Sequence, residues 1–303
     1  MDHKLIPLLN AHSLTAHHFP TWPEVPNSSI AHLFHVNRLE THIHHIAFPL
    51  SPHRKTVHDF IFLTQGCTTR SKGLNEYQIG ANTFFFLPAS QITTHQSISP
   101  DAQGFYCHFD LDLLNKGFVQ AGVLSDMPFL EFTGSPVVEV PPVALPTILL
   151  LLSRLEEQQK QAESPTALHL AKVYLLTLFF ELRGFTSASE RPARTAAGRI
   201  TQAYQDALAQ HIYTRQSVVA YAELLAVSPN HLNKCVKLVT GKSAQDALDG
   251  MLLLESKALL RQSSLSVGEI AFKIGIEDQS SFSRFFKTKT GITPREYRAA
   301  KAV

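Results

Sequence analysis

Two sets of side chains have the types and spacing to touch a nucleic acid. Asn230, Asn233, Lys234 and Lys237 recur at helical spacing, and so do Gln279, Ser280, Ser283, Arg284 and Lys287. Amide and guanidinium groups hydrogen-bond to base edges, while lysine suits phosphate oxygens. One such face alone would be the ordinary solvated side of a helix. The two faces, however, correspond. Ala222 and Ala271, like Leu225 and Ile274, stand 49 residues apart. Leu232 and Phe282, Lys234 and Arg284, Lys237 and Lys287, and Gly241 and Gly291 stand 50 apart. Matched basic positions on two copies of one small unit argue against chance.

The elements that would position these groups follow from caps and breakers. Ser266 and Glu269 have the S-x-x-E spacing of a capping box, and Ile270, Ala271 and Ile274 give an inner face. Gly275 can take a left-handed helix end, and Asp278 can cap a second helix with Phe282, Phe285 and Phe286 inward. In the first copy Ser228 caps and Pro229 sits at the first helical position. Each copy therefore reads as helix, tight turn, helix, a motif whose second helix can enter a major groove. A helical segment of about 243–262 joins the copies. It would span about 30 Å, close to the ~34 Å between successive grooves on one side of DNA.

A second chemistry is open to the histidines, of which 13 of 16 precede residue 110. His42, His44 and His45 are expected on one strand, with His53, His58, His95 and His108 further on. Histidine is the commonest metal ligand, so a metal-dependent enzyme fused to a nucleic-acid-binding domain is the alternative reading. The spacing is poor for it, because Ile46-Ala47-Phe48-Pro49 follows where a carboxylate ligand would be needed. No catalytic residues, metal ligands or cofactor are assigned. Cys67, Cys107 and Cys235 form neither a disulfide framework nor a CxxC pair. Cys235 reads as a small core residue.

The chain has 303 residues, 44% hydrophobic and 17% charged, which suits two packed domains and excludes a mainly disordered chain. From Gly198 onward there are 14 Lys+Arg and 9 Asp+Glu, a net of +5; the preceding residues carry 13 and 16, a net of −3. A basic third on an acidic body fits a polyanionic partner. The longest uncharged apolar stretch, about 143–152, is too short to cross a membrane. No signal peptide is evident at Met1 to Asn10, so a cytoplasmic protein with no membrane partner is expected.

The first 140 residues read as β. Phe60-Ile61-Phe62-Leu63, Thr83 to Leu87, Gly104 to Phe109 and Pro136 to Val140 are short runs separated by Gly66, Gly73, Gly80 and Pro88. A helical pattern follows Pro141-Pro142, with seams Leu145, Ile148, Leu152, Leu155 and Leu168, Ala171, Leu175, Leu178, Leu182. These make a helical hairpin that packs on the β region, or a dimer interface along the same seam. Residues 186–197 have no apolar period and read as a linker. The expected organisation is 1–140 β, 141–185 helical dimerisation segment, 186–197 linker and 198–303 nucleic-acid-binding.

The residues Glu269-Ile270-Ala271, Gly275-Ile276, Phe282-Ser283-Arg284-Phe285-Phe286-Lys287 and Gly291-Ile292-Thr293-Pro294, with Tyr297-Arg298, resemble the signature of the AraC/XylS family of bacterial transcription regulators. The resemblance covers 198–303. It implies two helix-turn-helix units on a central helix, binding to a double-stranded DNA operator and contact with RNA polymerase. By position it assigns base reading to Asn230, Asn233 and Lys234 and to Gln279, Ser280, Ser283 and Arg284. The family often has Trp and Arg where Asn230 and Lys234 stand, which implies weaker base reading by the first unit.

More loosely, His58 to Gly66, Gly80 to Pro88, His95 and Asp101 to Phe105 resemble the cupin-like sensor of the same regulators. That implies an α+β multidomain chain: an N-terminal cupin-like β-barrel with a helical hairpin, then an all-α double helix-turn-helix domain. It also implies a small-molecule effector and a homodimer. A pocket lined by His44, His58, Phe60, Phe62, Phe84, Phe86 and His95 is the expected ligand site. Alternation sends Phe60 and Phe62 to one face of their strand and Ile61 and Leu63 to the other; which face is inner is not legible.

Overall fold

Along the strand His58–Gln65 (β4) neighbouring side chains enter two different cores. Ile61 and Leu63 join a cluster with Leu39, Ile79, Phe85 and Leu87. Phe60 and Phe62 join a larger one with Phe84, Phe86, Phe105 and Phe109, which helices cover. A period of two makes this division automatic once both faces of a sheet are buried. The face left open by the sequence is thereby settled: the phenylalanines face the helices.

A computed structural model describes residues 6–19, 30, 32–73, 75–115, 127–131, 134–161, 164–186 and 195–299. The expected linker lies, over 187–194, outside the described residues. Two compact units emerge, Leu8–Pro192, and Ala193–Val303 together with Met1–Pro7. The chain is of mixed α+β class, with sheets in the first unit and helices throughout the second.

The first unit holds two five-stranded sheets. One runs in the order β1 (Leu8–Leu9), β3 (Leu50–Lys55), β8 (Thr93–Ile98), β5 (Thr68–Lys72), β6 (Asn75–Ile79). The other runs β10 (Val137–Glu139), β7 (Thr83–Leu87), β4, β9 (Gln103–Phe109), β2 (Phe34–Arg38). In the second sheet Phe60 stands opposite Phe86 and Cys107, and Ile61 opposite Phe85 and Tyr106, so each face is uniform across three strands. Two short helices, α1 (Ala11–His18) and α2 (Leu111–Asn115), interrupt the region expected to be β.

One expectation about this region fails. His42, His44 and His45 do not share a strand; Leu39–Thr41 and Ile43–His45 are successive 3-10 turns. The chain must reverse here. Arg38 is fixed over the Phe105 ring at 4.1 Å and paired with Glu156 at 3.0 Å, while Leu39 is buried in the inner core.

The hairpin is α3 (Leu145–Lys160) and α4 (Pro165–Phe185), with Pro165 at the first helical turn after Ser164. Ile148, Leu152 and Leu155 meet Ala171, Leu175, Leu178, Phe179 and Leu182, all buried against the phenylalanine face of the sheet. The heptad-like seam is therefore consumed inside the chain. Burial of each such leucine is worth about 1.5–3 kcal/mol.

In the second unit α5 (Ala196–His211) precedes two helix pairs. The first is α6 (Val218–Leu224) and α7 (Pro229–Thr240), the second α9 (Val267–Lys273) and α10 (Gln279–Thr290), with α8 (Ala244–Gln262) between them and α11 (Pro294–Ala299) last. The duplication reaches the hydrogen bonds. Ser217 and Ser266 cap the first helices, and Gly241 and Gly291 end the second ones at φ +73° and +82°. Thr240 donates to the Val236 carbonyl at 2.8 Å, and Thr290 to that of Phe286 at 2.8 Å. Ser243 with Asp246 makes a capping box at the start of α8; Thr293 with Glu296 repeats the bonds ahead of α11.

Candidate nucleic-acid interface

The second helix of each pair hides one face and presents another. In α7, Leu232, Cys235 and Val236 are buried, and Asn230, Lys234 and Lys237 are exposed. In α10, Phe282 and Phe286 are buried, Gln279, Ser280, Arg284 and Lys287 are exposed, and Ser283 is half-buried. Exposed basic and amide groups projecting from the first turns of such helices can reach phosphates and base edges.

Caps fix the entry of each of these helices. The Ser228 hydroxyl accepts the His231 N–H at 3.2 Å. Asp278 accepts from the N–H groups of Ser280 at 2.7 Å and Ser281 at 2.8 Å, and these bonds hold its carboxyl below the usual carboxylate range. Such caps contribute about 1 kcal/mol each.

Each pair is buttressed differently. Tyr204 of α5 stacks edge-on against Tyr221 at 5.5 Å and donates to the Ala244 carbonyl at 2.8 Å. Behind the second pair, Phe286 meets Tyr297 at 5.4 Å, and Arg298 donates to the carbonyls of Leu260 and Leu265 at 3.1 and 2.6 Å. Lys289 is paired with Asp249 at 2.8 Å, so this cation ties α10 to α8.

Asn233 departs from its expected role. It is half-buried, and its side-chain carbonyl accepts the backbone N–H of Ala244 at 3.0 Å. It fastens α7 to the first turn of α8. Sequence spacing placed it on the outer face, but not the backbone donor eleven residues on that engages it.

Four of the seven expected ligand residues, the phenylalanines, share one core cluster. His44 is exposed on its 3-10 turn, its ring 4.1 Å from that of His45. His58 is buried and stacked on Phe109 at 5.7 Å, and burial pushes its pKa down to about 4. Phe60, Phe62, Phe84 and Phe86 are fully buried in the helix-covered core. His95 lines a cavity of about 40 Å³.

That cavity is lined by seven apolar side chains, Leu39, Ile43, Ile46, Phe48, Leu50, Ile61 and Ile98, and six polar ones, His18, His53, Lys55, Arg70, His95 and Tyr106. Beside it Asp59 bridges two cations, Lys55 at 2.7 Å and Arg70 at 2.9 Å, with all three side chains almost wholly buried. Burial would raise the Asp59 carboxyl, but Arg70 and Lys55 outweigh it and hold it low. Burial lowers Lys55 to about 8 despite Asp59. Sequence reasoning missed this group. The available signal was an acid at Asp59 next to the apolar run Phe60 to Leu63, since a buried carboxylate there must find a cation. Among the described residues, no group of three or more His, Cys, Asp or Glu side chains is arranged to hold a metal ion. No described helix is long and apolar enough to cross a membrane.

Comparison with known proteins bears on the second unit. A family model described as a helix-turn-helix domain matches residues 221–300. The HTH-type transcriptional activator RhaS of Escherichia fergusonii is 35% identical over 94 residues, 31% of this chain and 34% of that protein. The HTH-type transcriptional activator RhaR of Yersinia pestis is 26% identical over 148 residues, 49% of this chain and 51% of that protein. The matches thus span a third to a half of these relatives. A crystal structure of ToxT from Vibrio cholerae O395 aligns over 89% of this chain and 99% of its own, with 12% identity and a TM-score of 0.42. With the duplicated helix pairs, the family match identifies residues 221–300 as a helix-turn-helix domain.

Proposed function

We propose that this chain is a sequence-specific, DNA-binding regulator of transcription. The observation that carries the reading is the pair of matched second helices, α7 and α10, each with its apolar side buried and its basic and amide side exposed. Base edges are met by Asn230, Lys234, Gln279, Ser280, Ser283 and Arg284, and phosphates by Lys237 and Lys287. The names of these relatives, transcriptional activators that match part of the chain, support the same reading.

The β unit is the sensor in this proposal. Its double-sheet architecture and cavity suit a cupin-like domain holding a small-molecule effector. The effector acts through a coupling free energy, by favouring one arrangement of the two units and so changing operator affinity or contact with RNA polymerase. The regulator works in the cytoplasm as a homodimer that uses the outer face of α4, and it performs no catalysis.

The test is binding of the purified chain to the intergenic DNA beside its own gene, against unrelated DNA of equal length at fixed salt. A specificity ratio of about 1000 or more is expected. A ratio near one there, and no preferred site in a genome-wide selection, would overturn the proposal.

A further inference from the structure

The polar lining of the cavity in the β unit carries more positive charge than it neutralises. Lys55 and Arg70 are cationic, and among the described residues Asp59 is the single carboxylate that both contact. Among these three groups one positive charge is left over beside the cavity. An excess charge with so little solvent is costly unless an anion meets it. Arg70 is 2% exposed, and its Nε is buried without a hydrogen-bond partner. The Tyr106 hydroxyl, on the same cavity, is also buried without one. Two donors that lack acceptors, next to an unbalanced cation, define the head group of a ligand.

The apolar lining defines the rest. Six aliphatic side chains and Phe48 leave nothing there for a polar substituent to bond. A space of about 40 Å³ corresponds to roughly three water positions, by the ~10–15 Å³ that each needs. A sugar or an aromatic acid is too large for it. A single excess charge favours a monoanion over a phosphate dianion.

We propose that the cavity between β3, β5, β8 and β9 binds a short-chain monocarboxylate. Its head group accepts from Arg70 Nε and the Tyr106 hydroxyl beside Lys55, and its tail of two to four carbons lies against Ile43, Ile46, Ile61 and Ile98. Lys55 and Asp59 act as positioning residues: their ion pair holds the Arg70 guanidinium at the cavity edge. The histidines facing the site are His18, His53 and His95, and His95 Nε2 is engaged by the Thr68 hydroxyl at 2.7 Å. The proposal deepens the effector reading above and rests on it only for the consequence to DNA binding.

The experiment is calorimetric titration of the full chain with acetate, propionate, butyrate and hexanoate at constant ionic strength, with butyramide as the uncharged control. Saturable binding is expected, tightest for propionate or butyrate, and none for butyramide. Tyr106→Phe should weaken it about tenfold or more, the loss of one hydrogen bond to a charged group. Arg70→Met should abolish it. If Arg70→Met does not fold, Ile98→Trp, which fills the cavity, should abolish it instead. No binding of any carboxylate to the native chain would overturn the site, as would equal binding to Tyr106→Phe and Ile98→Trp. Operator retardation by the same preparation separates the two readings. Protein that selects its DNA but binds no carboxylate refutes this site alone. Protein that binds carboxylate but selects no DNA refutes the regulator alone.

Discussion

The side-chain carbonyl of Asn233 accepts the backbone N–H of Ala244 at 3.0 Å, whereas fifty residues on the corresponding pair is Ser283 and Pro294. Proline has no N–H to give. The two helix-turn-helix units are therefore joined to their following helices by different means. Asn233→Ala should destabilise the domain by about 1–2 kcal/mol, leaving an N–H partly buried without an acceptor. Ser283→Ala should change stability by less than about 0.5 kcal/mol. Thermal unfolding of the two variants checks this; equal losses would mean the Asn233 bond contributes nothing.

Arg284 and Lys287 sit one helical turn apart on the exposed side of α10, and their chemistry separates their roles. A guanidinium can pair bidentately with guanine, while an ammonium is a point charge for phosphate. Arg284→Ala should cost about 1–3 kcal/mol on the operator and relax sequence preference at one position. Lys287→Ala should weaken specific and unrelated DNA alike and reduce the salt slope of binding by about 1. Titrations at three salt concentrations distinguish them.

The turn between helices contains another asymmetry. Gly275 has φ +76°, and its counterpart Ala226 has φ +52°. The left-handed region costs an alanine roughly 1 kcal/mol that glycine is spared. Ala226→Gly should raise stability by about 0.5–1 kcal/mol. Gly275→Ala should lower it by at least as much, since a Cβ there would lie 1.6 Å from the Gln216 side chain, which must move. The melting temperatures of the two variants should shift in opposite directions.

The helix-turn-helix half was legible because its information is local. Caps such as Ser228, Asp278 and the Ser266–Glu269 pair, and the helix ends at Gly241 and Gly291, act within a few residues and occur twice. The strands were legible for the same reason: Phe60-Ile61-Phe62-Leu63 and Thr83 to Leu87 lie in β4 and β7. What was not legible depends on which strands meet. Phe60 and Phe62 became core because two helices cover that face, and the cavity went to the face of Ile61. Arg70 and Asp59 are eleven residues apart on strands of different sheets, and no local pattern announces their pairing. The histidine run failed as a strand because Arg38 and Leu39 are anchored in ways that turn the chain.

Buried histidines give the β unit an acid limit. Burial lowers His58 to about 4 and His35 to about 3, and holds His18 and His95 well below 6.5. Each folded pKa lies below the unfolded value, so between the two the unfolded chain binds more protons. Stability from these groups is fully present above pH 6.5 and is lost as pH falls toward 4. His58 alone accounts for a loss on the order of 3 kcal/mol over that window, at about 1.4 kcal/mol per pH unit. The melting temperature should fall steadily from pH 7 to 4.5. His58→Leu should flatten that dependence, and an unchanged slope would assign it to other groups.

The outer face of α4 decides how two chains would meet. Its inner face is spent on α3 and the sheet, yet Leu170, Val173 and Phe180 remain 38%, 49% and 46% exposed at spacings of three and seven. Thr177 fills the remaining position of the stripe and is small enough for close approach. A stripe of this kind is self-complementary about a twofold axis, which pairs the same surface on both chains. The double variant Val173→Glu, Phe180→Glu should sediment as a monomer with a nearly unchanged melting temperature, since neither side chain is in the core. It should bind a single half-site as the native chain does, but lose about 100-fold or more on the full operator, where the gain from linking two sites disappears. A dimer mass for the double variant would place the interface on another surface, and a fall in half-site affinity would mean that the helix had been disturbed.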